Sequence, residues 1–269
     1  MTTVLKLGGS VVTEKDRDET VDGPELDRAA SAVAAARSGG GGDGSGGTGD
    51  AVDDLVIVHG GGSFGHPNAA GWGVTTEEGT RDADGVLAIH GAMTTLNKFV
   101  LRRLRDEGVP AVPVHPLSAA HRDADADLTL PTGQVRTLLD EGFVPVLHGD
   151  VIAHAGEGVT VLSGDEIVAE LAGQLDAERV GVCSTVPGVL DADDEDSVDE
   201  ASVIAEISSF DDVADVLGGS DATDVSGGMA GKVRELLALD VPASIFDLDA
   251  LSAFLAGERP GTTIRGDEK

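Results

Sequence analysis

Only five lysines occur in the 269 residues: Lys6, Lys15, Lys98, Lys232 and Lys269. Three of them stand beside glycine turns. Lys6 precedes Gly8, Gly9 and Ser10, Lys15 follows that turn, and Lys232 follows Gly227 and Gly228. A lysine retained where the composition otherwise avoids lysine is there for its compact point charge. A glycine turn lets a phosphate reach backbone N–H groups with no Cβ in the way. More such turns occur at Gly60-Gly61-Gly62-Ser63, His148-Gly149-Asp150 and Ser163-Gly164-Asp165. Tight packing of a strand on a helix explains any one of them; several in one chain, with lysines beside them, favour a polyanion site. The chemistry that fits is phosphoryl transfer, which asks a protein for positive charge and alignment and little covalent participation. Lys6 and Lys232 are the candidate cations. Asp165 can orient them by accepting hydrogen bonds, cap the helix that starts in SGDEIVAEL together with Ser163, or do both. His66 follows the glycines of VHGGGSFGHP, where an acceptor would face a donor, and its imidazole can hold a substrate phosphate. The plain alternative is a solvent-facing loop histidine before Pro67.

These residues need a scaffold. LVIV, FVPVLHGDVI and RVGVC are short apolar runs, and helical patterns separate them: GPELDRAASAVAAARS, residues 85–108, PTGQVRTLLDEG, GDEIVAELAGQLDA, SFDDVADVLG, GMAGKVRELLALD and DALSAFLAG. TVLKLGGSVV reads as a strand, a glycine turn and a continuation, and GTTIRG as an edge strand. Strands alternating with helices predict an α/β fold, a largely parallel sheet covered on both faces. Ligands of such sheets bind beyond the carboxyl ends of the strands, where the glycine turns lie. The chain carries no G-x-x-x-x-G-K-[ST] loop and no G-x-G-x-x-G at the first strand, so ordinary P-loop and dinucleotide sites do not fit. Residues 38–54 are low-complexity Gly, Ser and Asp, expected as a flexible surface insertion inside a βαβ unit rather than a domain boundary.

Eighteen Lys+Arg oppose 49 Asp+Glu, a net charge of −31. Such a surface repels nucleic acid and anionic membranes. The acids are dispersed among regular apolar segments, which favours a solubility adaptation to very high salt over a disordered tail or a basic partner. No apolar run approaches the roughly 20 residues of a membrane span, and the N-terminus has no signal-peptide pattern. The single cysteine, Cys183, excludes an intrachain disulfide and fits a reducing cytoplasm.

KLGGSVVTEK, VHGGGSFGHP, PVLHGDVI, VLSGDEIVAEL, TVPGVL and DVSGGMAGKV occur in the order found in the amino acid kinase superfamily, and the chain resembles its isopentenyl phosphate kinase branch. The likeness covers all but the Gly-rich insertion. Lys15 combined with Ser63-Phe64-Gly65-His66 is its most specific part. The resemblance implies an αβα sandwich, usually a homodimer, that transfers the γ-phosphoryl of ATP to isopentenyl phosphate with Mg²⁺ carried by the nucleotide. It implies one domain over 1–269, with an acceptor part over about 1–160 and a nucleotide part over about 161–269. By position, Lys6, Gly8, Gly9, Ser10 and Gly62 line the ATP phosphates. Thr185, Gly188, Gly227, Gly228 and Lys232 lie by the nucleotide. Lys15 and Lys232 stabilise the transferring group, and Asp165 organises the lysines. Gly61, Gly65, His66 and Gly149 hold the acceptor phosphate. Val86, Ile89 and Met93 are candidates to meet the acceptor's apolar tail, with ordinary core or dimer packing as the alternative. The family's T-x-V-D-G-V-Y pattern appears here as Thr185 to Leu190 without its acidic and aromatic members, which weakens the expected base or ribose contacts. Other readings are a carbamate, N-acetylglutamate, UMP or fosfomycin-type phosphonate kinase, or a nucleotide sensor that lost catalysis. A carboxylate acceptor would want an arginine by the glycine turn, and none is there.

Overall fold

The computed structural model describes residues 1–39, 52, 54–191, 202–214 and 228–266. Most of the Gly-rich insertion, and Gly227, lie outside the described residues. The chain begins with β1 (Thr2–Leu7), α1 (Gly9–Val12), α2 (Gly23–Ser38), β2 (Asp54–His59), α3 (Gly62–Gly71) and α4 (Ala83–Asp106). It continues through β3 (Ala111–Pro113), β4 (His121–Arg122), β5 (Leu128–Thr129), α5 (Gly133–Asp140), β6 (Val144–His148), β7 (Asp150–His154), β8 (Gly158–Leu162) and α6 (Gly164–Gln174). After β9 (Arg179–Ser184) come β10 (Leu190–Asp191), β11 (Ser202–Val203), β12 (Glu206–Ile207), a helix over Gly228–Leu237, β13 (Ala243–Asp247), a short helix over Leu251–Leu255 and β14 (Thr262–Ile264).

Eight strands form one sheet in the order β12-β14-β13-β9-β1-β2-β6-β3. The six from β13 to β3 run parallel, and β14 pairs antiparallel to β13. GTTIRG therefore lies one strand inside the sheet, because β12 pairs outside it. A second sheet, β5-β4-β7-β8, stands apart from the first. FVPVLHGDVI, expected as one strand, divides between the two sheets. Gly149 is the break: its N–H makes the last bond of the β2–β6 ladder, to the carbonyl of His59 at 3.1 Å, and the next residue, Asp150, begins β7 in the other sheet.

The period of two along β1 sorts its side chains between two layers. Val4 packs with Val56, Val58 and the α6 residues Ile167, Val168 and Leu171. Leu5 and Leu7 pack on the other face with Leu26 of α2 and Leu96 of α4. Lys6 falls on the Val4 face, which turns it toward α6. The strand continuation expected after Gly8-Gly9 is instead the one-turn helix α1, which buries Val11 and Val12. The chain has to turn there because Gly9 meets a second glycine turn backbone to backbone.

Candidate active site

The site forms where β1, β2, β6 and β9 end. Gly8 N–H bonds Cys183 O at 2.9 Å and Gly60 N–H bonds Leu7 O at 3.0 Å, so each turn begins on a carbonyl at the end of a neighbouring strand. The turns then touch. A Cβ on Gly9 would lie 2.2 Å from Gly62 N, and one on Gly60 would lie 2.6 Å from Gly9 N. Gly62 has φ of +47°, and a Cβ there would lie 2.1 Å from Thr13 Oγ1. Thr13 ties the turns together, donating to Gly9 O at 2.8 Å and accepting from Ser63 N–H at 3.0 Å. The run of glycines thus exists because two backbones share one space, which leaves their N–H groups beside the cavity.

His66 stands on α3, not in a loop, and is exposed. Pro67 follows it inside the helix and cannot donate to the carbonyl of Ser63 four residues back. That carbonyl accepts from Glu19 N–H instead, at 3.0 Å. The loop carrying Lys15 is thereby fastened to the helix carrying His66, and Asn68 Nδ2 adds a bond to Glu19 Oε1 at 3.0 Å.

The cations come from opposite ends of the chain. Lys6 is 4% exposed and its Nζ pairs closely with Asp165 Oδ1; Lys232 Nζ lies 3.9 Å from Asp165 Oδ2. The helix cap is supplied by Ser163 in a reciprocal box with Glu166 (3.1 and 2.9 Å), which leaves Asp165 to the lysines. Buried Arg122 holds Glu166 Oε1 at 2.5 Å and fixes the start of α6. Burial would raise the Asp165 carboxyl, but Lys6 and then Lys232 outweigh it and hold it below the usual range. Burial also pushes Lys6 below the usual lysine range against the pull of Asp165. Both shifts describe a pair whose charges are held in place by protein rather than water.

Glu235, one turn beyond Lys232, was not singled out from the sequence. Burial, followed by repulsion from Asp165 and Glu166, pushes its carboxyl up to about 7. Unfolded, it titrates near 4.5. The folded state therefore holds the proton more tightly, and stability falls as pH rises from 4.5 through 7. Glu235→Gln removes that loss. After discounting for partial exposure, the variant should exceed wild type by about 2 kcal/mol at pH 8, with the gap closing toward pH 4.5. Denaturant unfolding at pH 8 and pH 5 checks this, and equal gaps at both would refute it.

A cavity of ≈ 570 Å³ joins these parts. Lys6, Gly8, Gly9, Ser10, Lys15, Gly61, Gly62, Gly65, His66, Gly149, Asp165 and Lys232 all line it. Ile89 and Met93 of α4 form apolar wall, while Val86 lines a separate shallow hollow with Leu87 and Thr80. Thr185 and Gly188 are not among the lining residues. Gly188 is explained by packing, since a Cβ there would lie 2.6 Å from Thr262 Oγ1 and from Val203 Cγ1. Gly228 opens the helix whose next residue, Met229, lines the cavity. Another group with no signal in the sequence lies behind the Gly60 and Gly149 side of the cavity: His59, His90, His115 and His148 with Asp150. His90 Nδ1 pairs with Asp150 at 2.9 Å, and that bond raises the imidazole above its usual value. No spacing in the sequence brings these five together; the ends of β2 and β6, the start of β7, helix α4 and the segment after β3 do.

The amino acid kinase family model matches residues 1–239. An isopentenyl phosphate kinase of Haloferax volcanii is 58% identical, covering 98% of both chains. One from Methanothermobacter thermautotrophicus is 37% identical, covering 88% of this chain and 86% of its own. A solved isopentenyl phosphate kinase structure superposes with a TM-score of 0.79 at 30% identity, covering 98% of this chain and all of its own.

Proposed function

The chain belongs to the amino acid kinase family, within its isopentenyl phosphate kinase branch, and we propose that it transfers the γ-phosphoryl group of ATP to isopentenyl phosphate, giving isopentenyl diphosphate. The observation that carries this reading is the single cavity holding both the Lys6–Asp165–Lys232 cluster and the Gly61-to-His66 turn, with Ile89 and Met93 as apolar wall.

Lys6, Gly8, Gly9, Ser10 and Gly62 receive the ATP phosphates, with Gly228 by the nucleotide. The N–H groups at the Gly9–Gly62 contact and the Lys6 ammonium neutralise charge there. Lys15 and Lys232 approach the moving phosphoryl group and stabilise its equatorial oxygens. Asp165 keeps Lys6 and Lys232 apart and aimed. His66, Gly61, Gly65 and Gly149 hold the acceptor phosphate, whose oxygen attacks in line while ADP leaves. The apolar tail lies on Ile89 and Met93. Among the described residues no three His, Cys, Asp or Glu side chains converge into a metal site, and both oxygens of Asp165 face lysines. Mg²⁺, when bound with the nucleotide, would add positive charge to its phosphates. The acceptor part, about residues 1–160, also contributes the turn after β1 to the ATP phosphates, and the nucleotide part covers about 161–269, in a homodimer working in the cytoplasm. Among the described residues no helix is long and apolar enough to cross a membrane.

The test is ADP release with Mg-ATP, offering isopentenyl phosphate, dimethylallyl phosphate, fosfomycin, N-acetylglutamate, carbamate and UMP in parallel. Turnover on isopentenyl phosphate, alone or with its isomer, is expected; turnover only on a carboxylate or carbamate would overturn the acceptor reading. His66→Ala should raise the acceptor KM roughly 30-fold and leave the ATP KM within about twofold, as for loss of a charge-assisted bond to phosphate. A change confined to the ATP KM would exchange the two pockets. The charge of −31 further implies a midpoint of unfolding that climbs steeply with KCl as self-repulsion is screened. Melting curves that coincide at low and multimolar KCl would remove the high-salt reading.

A further inference from the structure

His59 and His148 end the adjacent strands β2 and β6 and pair in register. Both are fully buried. Each is followed by a glycine of the acceptor wall, and each Nδ1 meets the carbonyl of that glycine: His59 to Gly60 O at 3.0 Å, His148 to Gly149 O at 2.9 Å. A carbonyl only accepts, so in both rings Nδ1 is the protonated nitrogen. Gly149 is held at its other end too, its N–H donating to His59 O at 3.1 Å.

The outer nitrogens complete the pattern. With Nδ1 protonated, His148 Nε2 is an acceptor, and His115 Nδ1 donates to it at 2.8 Å. His59 Nε2 is likewise an acceptor and lies 3.3 Å from the side-chain amide of buried Asn97. Turning that amide so that Nδ2 faces the ring serves both groups, because Nδ2 has no other partner. Burial pushes His59 down to about 4 and His148 well below its usual value, so both remain neutral, with one donor and one acceptor each. Packing alone would be served by apolar side chains without the cost of burying imidazoles. What the imidazoles add is a pair of Nδ1 bonds that end on two glycines of the site, with the outer nitrogens held by His115 and Asn97.

We propose that His59 and His148 are positioning residues for the acceptor phosphate: each pins the carbonyl of the glycine that follows it and so fixes the Gly60–Gly61 and Gly149–Asp150 peptide planes in the orientation that receives the phosphate. In a trans peptide the N–H points opposite the carbonyl. With the Gly60 carbonyl drawn back to His59, Gly61 N–H faces away from it, at the residue that borders the cavity. His115 and Asn97 act one step further out, by fixing which ring nitrogen carries the proton. This inference rests on the acceptor reading above.

Asparagine and glutamine separate the roles of the two ring nitrogens. An asparagine places its amide nitrogen near the position of Nδ1, and a glutamine places it near Nε2. In His148→Asn the acceptor KM should stay within about threefold of wild type, and in His148→Gln it should rise about tenfold, with kcat and the ATP KM unchanged in both. The same contrast is expected at His59. Equal acceptor KM in the two variants, or an effect confined to the ATP KM, would overturn the proposal. Should a buried change prevent folding, His115→Phe supplies the second test. His115 is only half buried, and its loss takes the donor from His148 Nε2. The acceptor KM should rise about threefold, and a wild-type value there would contradict the proposal. Wild-type protein in the same assay separates the failures. No turnover of isopentenyl phosphate by wild type would sink the acceptor reading, and active wild type with indifferent histidine variants would sink this inference alone.

Discussion

Lys232→Ala is expected to lower kcat about a thousandfold while changing the ATP KM less than about tenfold, as for a charge used mainly in the transition state. The expectation rests on where the ammonium is held. Lys232 Nζ lies 3.9 Å from Asp165 Oδ2, while the other oxygen of Asp165 is taken by Lys6. Asp165 thus sets the separation of two like charges, and both line the cavity. On the proposed assignment, ground-state ATP would still meet Lys6 and the glycine N–H groups, so nucleotide binding should largely survive. The transferring group spreads charge over three oxygens on its way to the acceptor, and a fixed cation in a partly desolvated site stabilises that charge far more than water does. Steady-state kinetics over both substrates separates the effects. Unchanged turnover would take Lys232 out of the chemistry, and equal losses in kcat and ATP affinity would make it a binding residue.

Gly9→Ala should cost at least about a hundredfold in kcat/KM, although it adds one methyl group. That methyl would lie 2.2 Å from Gly62 N, 2.7 Å from Gly62 Cα and 3.2 Å from Gly61 N. All three are backbone atoms, so no side chain can swing aside. The turns after β1 and β2 must separate, and their N–H groups beside the cavity, to which the proposal assigns donor and acceptor, move with them. A displacement of about 1 Å between reacting groups is enough for a loss of that size. Gly173→Ala is the control, because a Cβ on Gly173 in α6 meets nothing within 4 Å. It should be active and slightly more stable, by about 0.5–1 kcal/mol, as for glycine replaced in a helix. Gly9→Ala with wild-type kinetics would show that the contact between the turns is not what aligns the substrates.

Much of this site was legible in the sequence because it is written in local signals. Glycine turns at strand ends, and lysines kept in a chain that otherwise avoids them, point to phosphate without any knowledge of the fold. The parallel sheet followed from apolar runs alternating with helical periods. What was not legible depended on which strand ends become neighbours. Gly149 divides a continuous apolar run between two sheets, and nothing in FVPVLHGDVI marks the change. The two roles of Asp165 could be separated only once Ser163 and Glu166 were seen to cap α6 by themselves. Histidines 59, 90, 115 and 148 are scattered in the chain, and only the order β2-β6-β3, with α4 packed beside it, gathers them. Thr185 and Gly188 show the converse. They belong to a recognisable stretch, yet Gly188 is a glycine because Thr262 and Val203 press on it.

The central claim is that the acceptor group in this cavity is a phosphate, so that the reaction makes a new P–O–P bond. The most direct measurement is the ³¹P NMR spectrum of wild-type protein incubated with Mg-ATP and isopentenyl phosphate in multimolar KCl. The monophosphate resonance should disappear as ADP accumulates, replaced one for one by a pair of mutually coupled doublets from a diphosphate ester. ADP accompanied only by inorganic phosphate, with the monophosphate resonance intact, would contradict the claim.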